Sequence, residues 1–410
     1  MIEELKKIKL KFNMILDFSY SIMSSVITMG VTQLLLYPLL AKIFNSSEYG
    51  QLLTIMGIVN TISASLGNTL NNTRLIQNTK YCDKNIKGDF NLLLSVANII
   101  GFILTIVIGN IFFNFNLSTN ILLSILVILI SSKSYLIVGY RIKLNFKLNF
   151  LSSIVSSIGY LIGILIVNYT LIWPLAFIIA EIFNIIFVLF TVDLHKEPYK
   201  ITKLFGETTS KYLLLILTGL MGNLLVYLDR LIIYPTLGSN FVSTYVTASF
   251  FGKSFGLLMT PIAGVLLSYF SQKNFKMTLK RFWSINILIF LFSVLFFVFA
   301  WIIAPWFTGL LYPTLIKEAI PYILYANTAA IIGVAASIIQ PSVLQFAPTY
   351  WQLVKEIVYG IIYIGLGFIL LNTYGLLGFC MAAICANSFK LIILCVIGTS
   401  YIGRRQIISN

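Results

Sequence analysis

The side chains best able to do chemistry in this chain are ionisable groups set inside long apolar runs. Lys133, Arg230, Lys253 and Lys390, with Arg74 and Lys355 nearer the ends of such runs, form a basic set; Asp17, Glu181, Asp229 and Glu356 form an acidic one. An ion at the centre of a bilayer costs roughly 2.5 to 3.5 kcal/mol even on the lenient insertion scale, so it is normally kept toward a cavity or a partner. Ammonium and guanidinium groups in a cavity bind phosphate-like anions through charge-assisted hydrogen bonds. For Lys253 and Lys390 two readings stand: each snorkels or pairs with an acid such as Glu181, or each lines an electropositive cavity that takes an anionic head group. Arg230, Lys133 and Arg74 complete the candidate substrate-binding set. Glu181, in the middle of an apolar run, is suited to proton or sodium coupling unless a lysine neutralises it, and Asp229 is the second ion-coupling candidate. Asp229 and Arg230 are adjacent, so on a helix they point about 100° apart and each needs a partner on another helix. Arg74, Asp17 and Lys355 lie close enough to a membrane face to snorkel.

Catalytic constellations are missing from the sequence. The one histidine, His195, stands among charged neighbours in a polar connector and reads as a solvated loop residue. There is no Gly-Lys-Ser/Thr, no His-Glu-x-x-His and no Gly-x-Ser-x-Gly, which speaks against phosphate-loop, zinc and serine-hydrolase chemistry. Cys82, Cys380, Cys385 and Cys395 lack metal-ligand spacing and read as reduced packing residues. The expectation is a non-enzyme with no catalytic residues, no metal and no cofactor.

The elements that carry these charges follow from composition. Of 410 residues 59% are apolar and only 10% charged, too few charges to cover a water-facing surface. The apolar excess comes in blocks of about 20 residues, enough to cross a hydrocarbon core. Twelve spans are predicted at 19–43, 51–71, 91–113, 118–139, 149–169, 173–192, 212–234, 242–270, 283–304, 320–345, 351–371 and 376–399. The fold class is therefore an all-α polytopic membrane protein with little sequence left for a soluble domain. The net charge of +15 would suggest nucleic acid in a soluble protein. Here its clusters, at Lys6 to Lys11, Arg74 to Lys87, Arg141 to Lys147, Lys196 to Lys211, Lys273 to Arg281 and Arg404 to Arg405, all fall on one side of the membrane; only Lys42 and Lys317 fall on the other. The positive-inside rule then places both termini in the cytoplasm and excludes a nucleic-acid partner. Trp173, Trp283, Trp301, Trp306 and Trp351 fall near predicted span ends, where tryptophan prefers the head-group level.

Residues 1–18 place Ile2, Leu5, Ile8 and Phe12 at helical spacing between lysines, an amphipathic lead-in suited to the surface of an anionic leaflet. The longest polar connector, 193–211, follows the sixth span and divides the chain into an N-lobe (19–192) and a C-lobe (212–399), with a cytoplasmic tail at 400–410. Asn45-Ser-Ser-Glu-Tyr-Gly-Gln-Leu-Leu-Thr54 after the first span and Gly238-Ser-Asn-Phe-Val-Ser-Thr-Tyr-Val-Thr247 after the seventh are offset by 193 residues, which points to parallel repeats. Two six-span lobes around a cleft suit alternating access.

Two segments carry a family resemblance. Tyr37-Pro-Leu-Leu-Ala-Lys-Ile-Phe-Asn-Ser-Ser-Glu-Tyr-Gly50 resembles the end of the first helix and the first outer turn of Wzx-type O-antigen and polysaccharide flippases. Leu228-Asp-Arg-Leu-Ile-Ile233, continuing through Leu237-Gly238 and Val242-Ser-Thr-Tyr245, resembles their seventh helix and following turn. The resemblance implies a V-shaped two-lobe transporter of the multidrug, oligosaccharidyl-lipid and polysaccharide exporter superfamily in a bacterial inner membrane. It would flip an undecaprenyl-diphosphate-linked oligosaccharide to the outer leaflet, with a proton or sodium counter-ion and with a polysaccharide polymerase and chain-length regulator as partners beside membrane lipid. Twelve spans separate it from lipid II flippases, which carry two more. The competing readings are a cation-coupled multidrug exporter of the same superfamily and a membrane enzyme of polysaccharide assembly.

Overall fold

In a bilayer a backbone has no water to bond with, so each crossing must satisfy its own N–H and C=O groups, and a helix does so within one segment. The described chain follows that constraint throughout. The computed structural model describes residue 16 and residues 19–84, 86–270, 277–348 and 350–409, apart from the side chains of 257, 258, 260–262, 264, 265, 267–269 and 405–409. The lead-in, residue 16 excepted, therefore lies outside the described residues, and Asp17, Lys273 and Lys276 lie there with it. Among the described residues there is no strand.

In chain order the helices are α1 (Ser19–Ile43), α2 (Ser46–Asp83), α3 (Phe90–Phe113), α4 (Leu117–Ile142), α5 (Phe146–Thr170), α6 (Pro174–Thr191) and α7 (Phe205–Leu237). They continue as α8 (Ser239–Ala248), α9 (Phe250–Phe270), α10 (Leu279–Leu311), α11 (Ile316–Phe346) and α12 (Tyr350–Ser409). Ten stretches among the described residues are long and apolar enough to cross a membrane. The last of them contains two arms that meet at Gly375, where φ is 61° and only glycine is unstrained, and α8 with α9 covers the eighth predicted span. The protein is thus a multi-pass, all-α membrane protein with the predicted order of crossings.

Local sequence sets the helix ends. Asn116 Oδ1 accepts from Thr119 N at 2.9 Å to cap α4, Asn145 caps α5 and Thr278 caps α10 in the same way. Pro174 stands in the first turn of α6, where its missing N–H is harmless. Asn114 and Leu171 adopt left-handed conformations that end α3 and α5.

Helix α2 is longer than its predicted span of 51–71. Its most apolar window is 78% buried against 11% for α10. Hydropathy registers contact with lipid, so a helix packed inside protein carries Asn71, Thr73 and Gln77, all buried, and falls below the apolar signal before it ends.

Contacts divide the chain into two compact units, residues 1–43 with 54–227 and residues 44–53 with 228–410. The first unit therefore holds the connector 193–211. In it α5 and α6 meet along small residues: Gly159 and Gly163 on one helix face Ala180 and Ala176 on the other. Small residues four apart let helix backbones approach where lipid gives no hydrophobic driving force. A Cβ at Gly163 would lie 2.6 Å from Ala176 O and 2.7 Å from Ala176 Cα.

In the second unit the two turn segments that carry the 193-residue offset touch each other. Ser46 Oγ lies 2.7 Å from Ser243 Oγ, Ser47 Oγ lies 2.7 Å from Ser239 Oγ, and Gly50 sits on the Ser239 backbone.

Gly163→Val is expected to lower stability by about 1 to 3 kcal/mol, the usual range for overpacking. Unfolding of the purified protein in detergent measures it, and an unchanged midpoint would show that the α5–α6 seam is not tightly packed.

Candidate functional site

The intramembrane charges sort into pairs, and the packing just described decides which acid meets which base. In the first unit the Gly159–Ala180 contact brings the next residues on each helix together, so Tyr160 OH lies 3.4 Å from Glu181 Oε1. Lys133 on α4 reaches the same oxygen at 2.7 Å. Glu181 is 2% exposed and its second oxygen has no hydrogen-bond partner. Its base is thus Lys133, a neighbour in its own unit, and neither Lys253 nor Lys390.

Arg74 stands at the polar end of α2. It forms a two-pronged ion pair with Glu197, at 2.9 and 2.7 Å, and its guanidinium lies over the Phe90 ring at 4.5 Å. It is 6% exposed, so it does not snorkel. Around it the connector is tied to the first unit: Asn91 Nδ2 donates to Leu194 O and Glu197 O, and Asp89 accepts from Tyr81 OH and Thr202 N. His195 Nδ1 contacts Val192 O at 2.9 Å, a loop contact. Lys196, 2.7 Å from Asp193, holds that exposed carboxyl below its ordinary range.

In the second unit Asp229 and Arg230 diverge as their adjacency requires. Asp229 pairs with Lys253 on α9 and accepts from Arg230 N at 2.8 Å, while Arg230 Nη1 donates to Leu53 O at 2.8 Å. Lys253 also lies over the Tyr245 ring at 5.1 Å.

A different balance holds where the two arms of α12 face each other. Lys355 Nζ lies 2.8 Å from Glu356 Oε1, and Lys390 Nζ lies 3.9 Å from Glu356 Oε2. Two ammonium groups share one carboxylate. Lys355 is 1% exposed, and its Nζ, though close to Glu356, makes no contact with hydrogen-bond geometry. Lys390 covers the Tyr359 ring at 4.6 Å; Tyr359 OH donates to Asn387 Oδ1 at 3.0 Å, and Asn387 Nδ2 anchors to Ala329 O. Among the described residues the ammonium groups of Lys355 and Lys390 have one carboxylate, Glu356, between them.

Among the sequence candidates, then, Lys133, Lys253 and Arg74 each meet one carboxylate, Arg230 meets a backbone carbonyl, and Lys390 joins a cluster with an excess cation. Lys355 and Glu356 stand in the basic and acidic sets of the sequence but not among its candidate binding or coupling residues. The signal was there in the Lys-Glu step at 355–356, with Lys390 on the following crossing.

No protein-family model and no curated protein matches the chain. Solved structures do. An inward-facing multidrug resistance MATE family transporter of the MOP superfamily superposes with a TM-score of 0.73 at 13% identity, covering 94% of this chain and all of that one. The fold is that of MOP-superfamily transporters. The lipid II flippase MurJ in an inward closed conformation matches with a TM-score of 0.67 at 18% identity over 93% of this chain and 86% of its own. A Vibrio cholerae MATE transporter, VcmN, gives 0.62 at 13% over 96% and 97%.

Removing one member of a buried ion pair strands the other, whereas removing both does not. Glu181→Leu is expected to destabilise the protein by about 3 kcal/mol, and Lys133→Met combined with Glu181→Leu to recover most of that loss. Denaturation of the wild type and the two variants in one detergent measures the difference; a double variant no more stable than Glu181→Leu would mean that the pair does not exist.

Proposed function

We propose that this chain is a flippase for an undecaprenyl-diphosphate-linked oligosaccharide, moving it from the cytoplasmic to the outer leaflet of a bacterial inner membrane by alternating access. Both termini lie in the cytoplasm on this reading, and the chain makes no covalent bond. The observation that carries it is the excess cation at Lys355 and Lys390. A buried charge without a full counter-charge is costly to keep, and a diphosphate supplies the missing anion in the chemistry these groups recognise. The flippase resemblance of Tyr37 to Gly50 and of Leu228 to Tyr245, and the shared fold with a lipid II flippase, support the same substrate class. Glu181, with one oxygen unpartnered, is the group we assign to coupling with a proton or sodium ion.

A second reading is favoured by the MATE fold matches: a cation-coupled multidrug exporter. Such a protein accepts cationic compounds, which two ammonium groups sharing one carboxylate repel.

Proteoliposome assays separate the two. The wild type is expected to expose the lipid-linked oligosaccharide to an enzyme on the far side of the membrane and to leave a cationic dye in place. Lys355→Met and Lys390→Met are each expected to slow flipping at least about tenfold, the size of one lost charge-assisted contact. Lys355→Met should keep or raise thermal stability, because it removes a buried charge that is only partly compensated. Dye export without flipping would overturn the flippase reading.

A further inference from the structure

A spanning helix breaks at a proline, at a Gly/Ser pair or where a side chain enters its ladder of backbone bonds. The break between α8 and α9 lies inside the eighth predicted span, and no proline and no adjacent Gly-Ser step lies between Ser239 and Lys253. Ser249 belongs to neither helix, so the bond that a continuous helix makes from Gly252 N to Ala248 O is missing. Both groups are bonded instead to one side chain on another helix. Gly252 N donates to Asn327 Oδ1 at 2.6 Å, and Asn327 Nδ2 donates to Ala248 O at 3.0 Å. A carboxamide from α11 thus stands in the ladder in place of one backbone bond.

The other groups at the break are served as well. Ser249 N donates to Tyr245 O at 2.9 Å, Ser249 Oγ to Val246 O at 3.3 Å, and Lys253 N to Ser249 O at 3.0 Å. Asn327 is 3% exposed, and its Nδ2 also donates to Ile323 O in its own helix at 2.8 Å, which fixes the orientation of the carboxamide. Gly252 makes room for it: a Cβ there would lie 3.0 Å from Asn327 Oδ1 and 2.8 Å from Ala330 Cβ. A buried N–H or C=O without a partner is costly. Without Asn327 the two backbone groups gain by bonding each other, and a gap now spanned by an amide closes to a single bond.

That gap sets where α9 begins, and Lys253 stands in its first turn. The ammonium group pairs with Asp229 on α7 and lies over the Tyr245 ring on α8. We infer that Asn327 is a positioning residue for Lys253: by holding the ladder open it keeps α9 in the register that brings this lysine to Asp229. Residue 253 follows residue 252 directly, so closing the bond between Ala248 and Gly252 moves the backbone that carries it. This role is set by geometry within the second unit and holds whichever substrate the protein moves.

If Asn327 positions Lys253, its loss must also cancel what Lys253 contributes. Unfolding equilibria of the full-length wild type, Lys253→Met, Asn327→Leu and the double variant are measured in one detergent. In the wild type Lys253→Met strands Asp229 and is expected to raise the unfolding constant about tenfold. In the Asn327→Leu background the same change is expected to raise it less than about twofold, because the pair is already parted. A residue that only holds helices together would leave the two costs equal, and equal costs would overturn the inference. Gly252→Ala presses on the carboxamide from the other side and, should Asn327→Leu not fold, supplies the second background with the same two outcomes.

Discussion

A charge inside a membrane protein needs a counter-charge within reach, and that constraint organises most of what is polar in this chain. Water is not available to screen an ion in the spanning region, so the choice of partner is made by which helices pack closely. Lys133 and Glu181, and Arg74 and Glu197, obey it with one cation to one anion, while Asp229 stands beside both Lys253 and Arg230. The cluster of Lys355, Glu356 and Lys390 does not. The two balanced pairs of the first unit show that the fold can supply a carboxylate where neutrality is wanted, which makes the shared carboxylate of Glu356 informative.

Small residues make those meetings possible. Lipid offers no hydrophobic reward for bringing two apolar helices together, so contact depends on how near the backbones come. Along α5 and α6, Gly159, Gly163, Ala176 and Ala180 leave space for that approach, and Tyr160 and Glu181 inherit their proximity from it. The polar site is a consequence of the apolar seam beside it. In α12 the same logic runs through Gly375, whose positive φ turns the chain back and brings Tyr359 to Asn387.

The crossings were legible in the sequence because lipid-facing helices announce themselves: the most apolar window of α10 is only 11% buried and has the highest mean hydropathy of the candidate spans. The end of α2 was harder to read, since a helix buried in protein is free to carry Asn71 and Gln77 and loses its apolar signature. The charged residues were equally visible, but their partners were not. Adjacency in sequence predicted that Asp229 and Arg230 would diverge, and they do. Nothing in one sequence ties Glu181 to Lys133 rather than to Lys253, because that choice depends on which helices share a unit. Lys355 was read as close enough to the membrane face to reach water; packing by neighbouring helices leaves it 1% exposed, a tertiary effect that position along a span does not encode.

The seam between the two turn segments has a reciprocal form. With an offset of 193 residues, Ser239 corresponds to Ser46 and Ser243 to Gly50. Two of the observed contacts, Ser46 with Ser243 and Gly50 with Ser239, are reciprocal: each position meets the counterpart of the other, as residues do across the two-fold axis of a symmetric dimer. A chain descended from two fused copies would keep such a contact as a relic of the ancestral dimer interface. It would also evolve under a lock. A side chain at Gly50 strikes the backbone of its partner segment, so neither segment can change at this point unless the other yields.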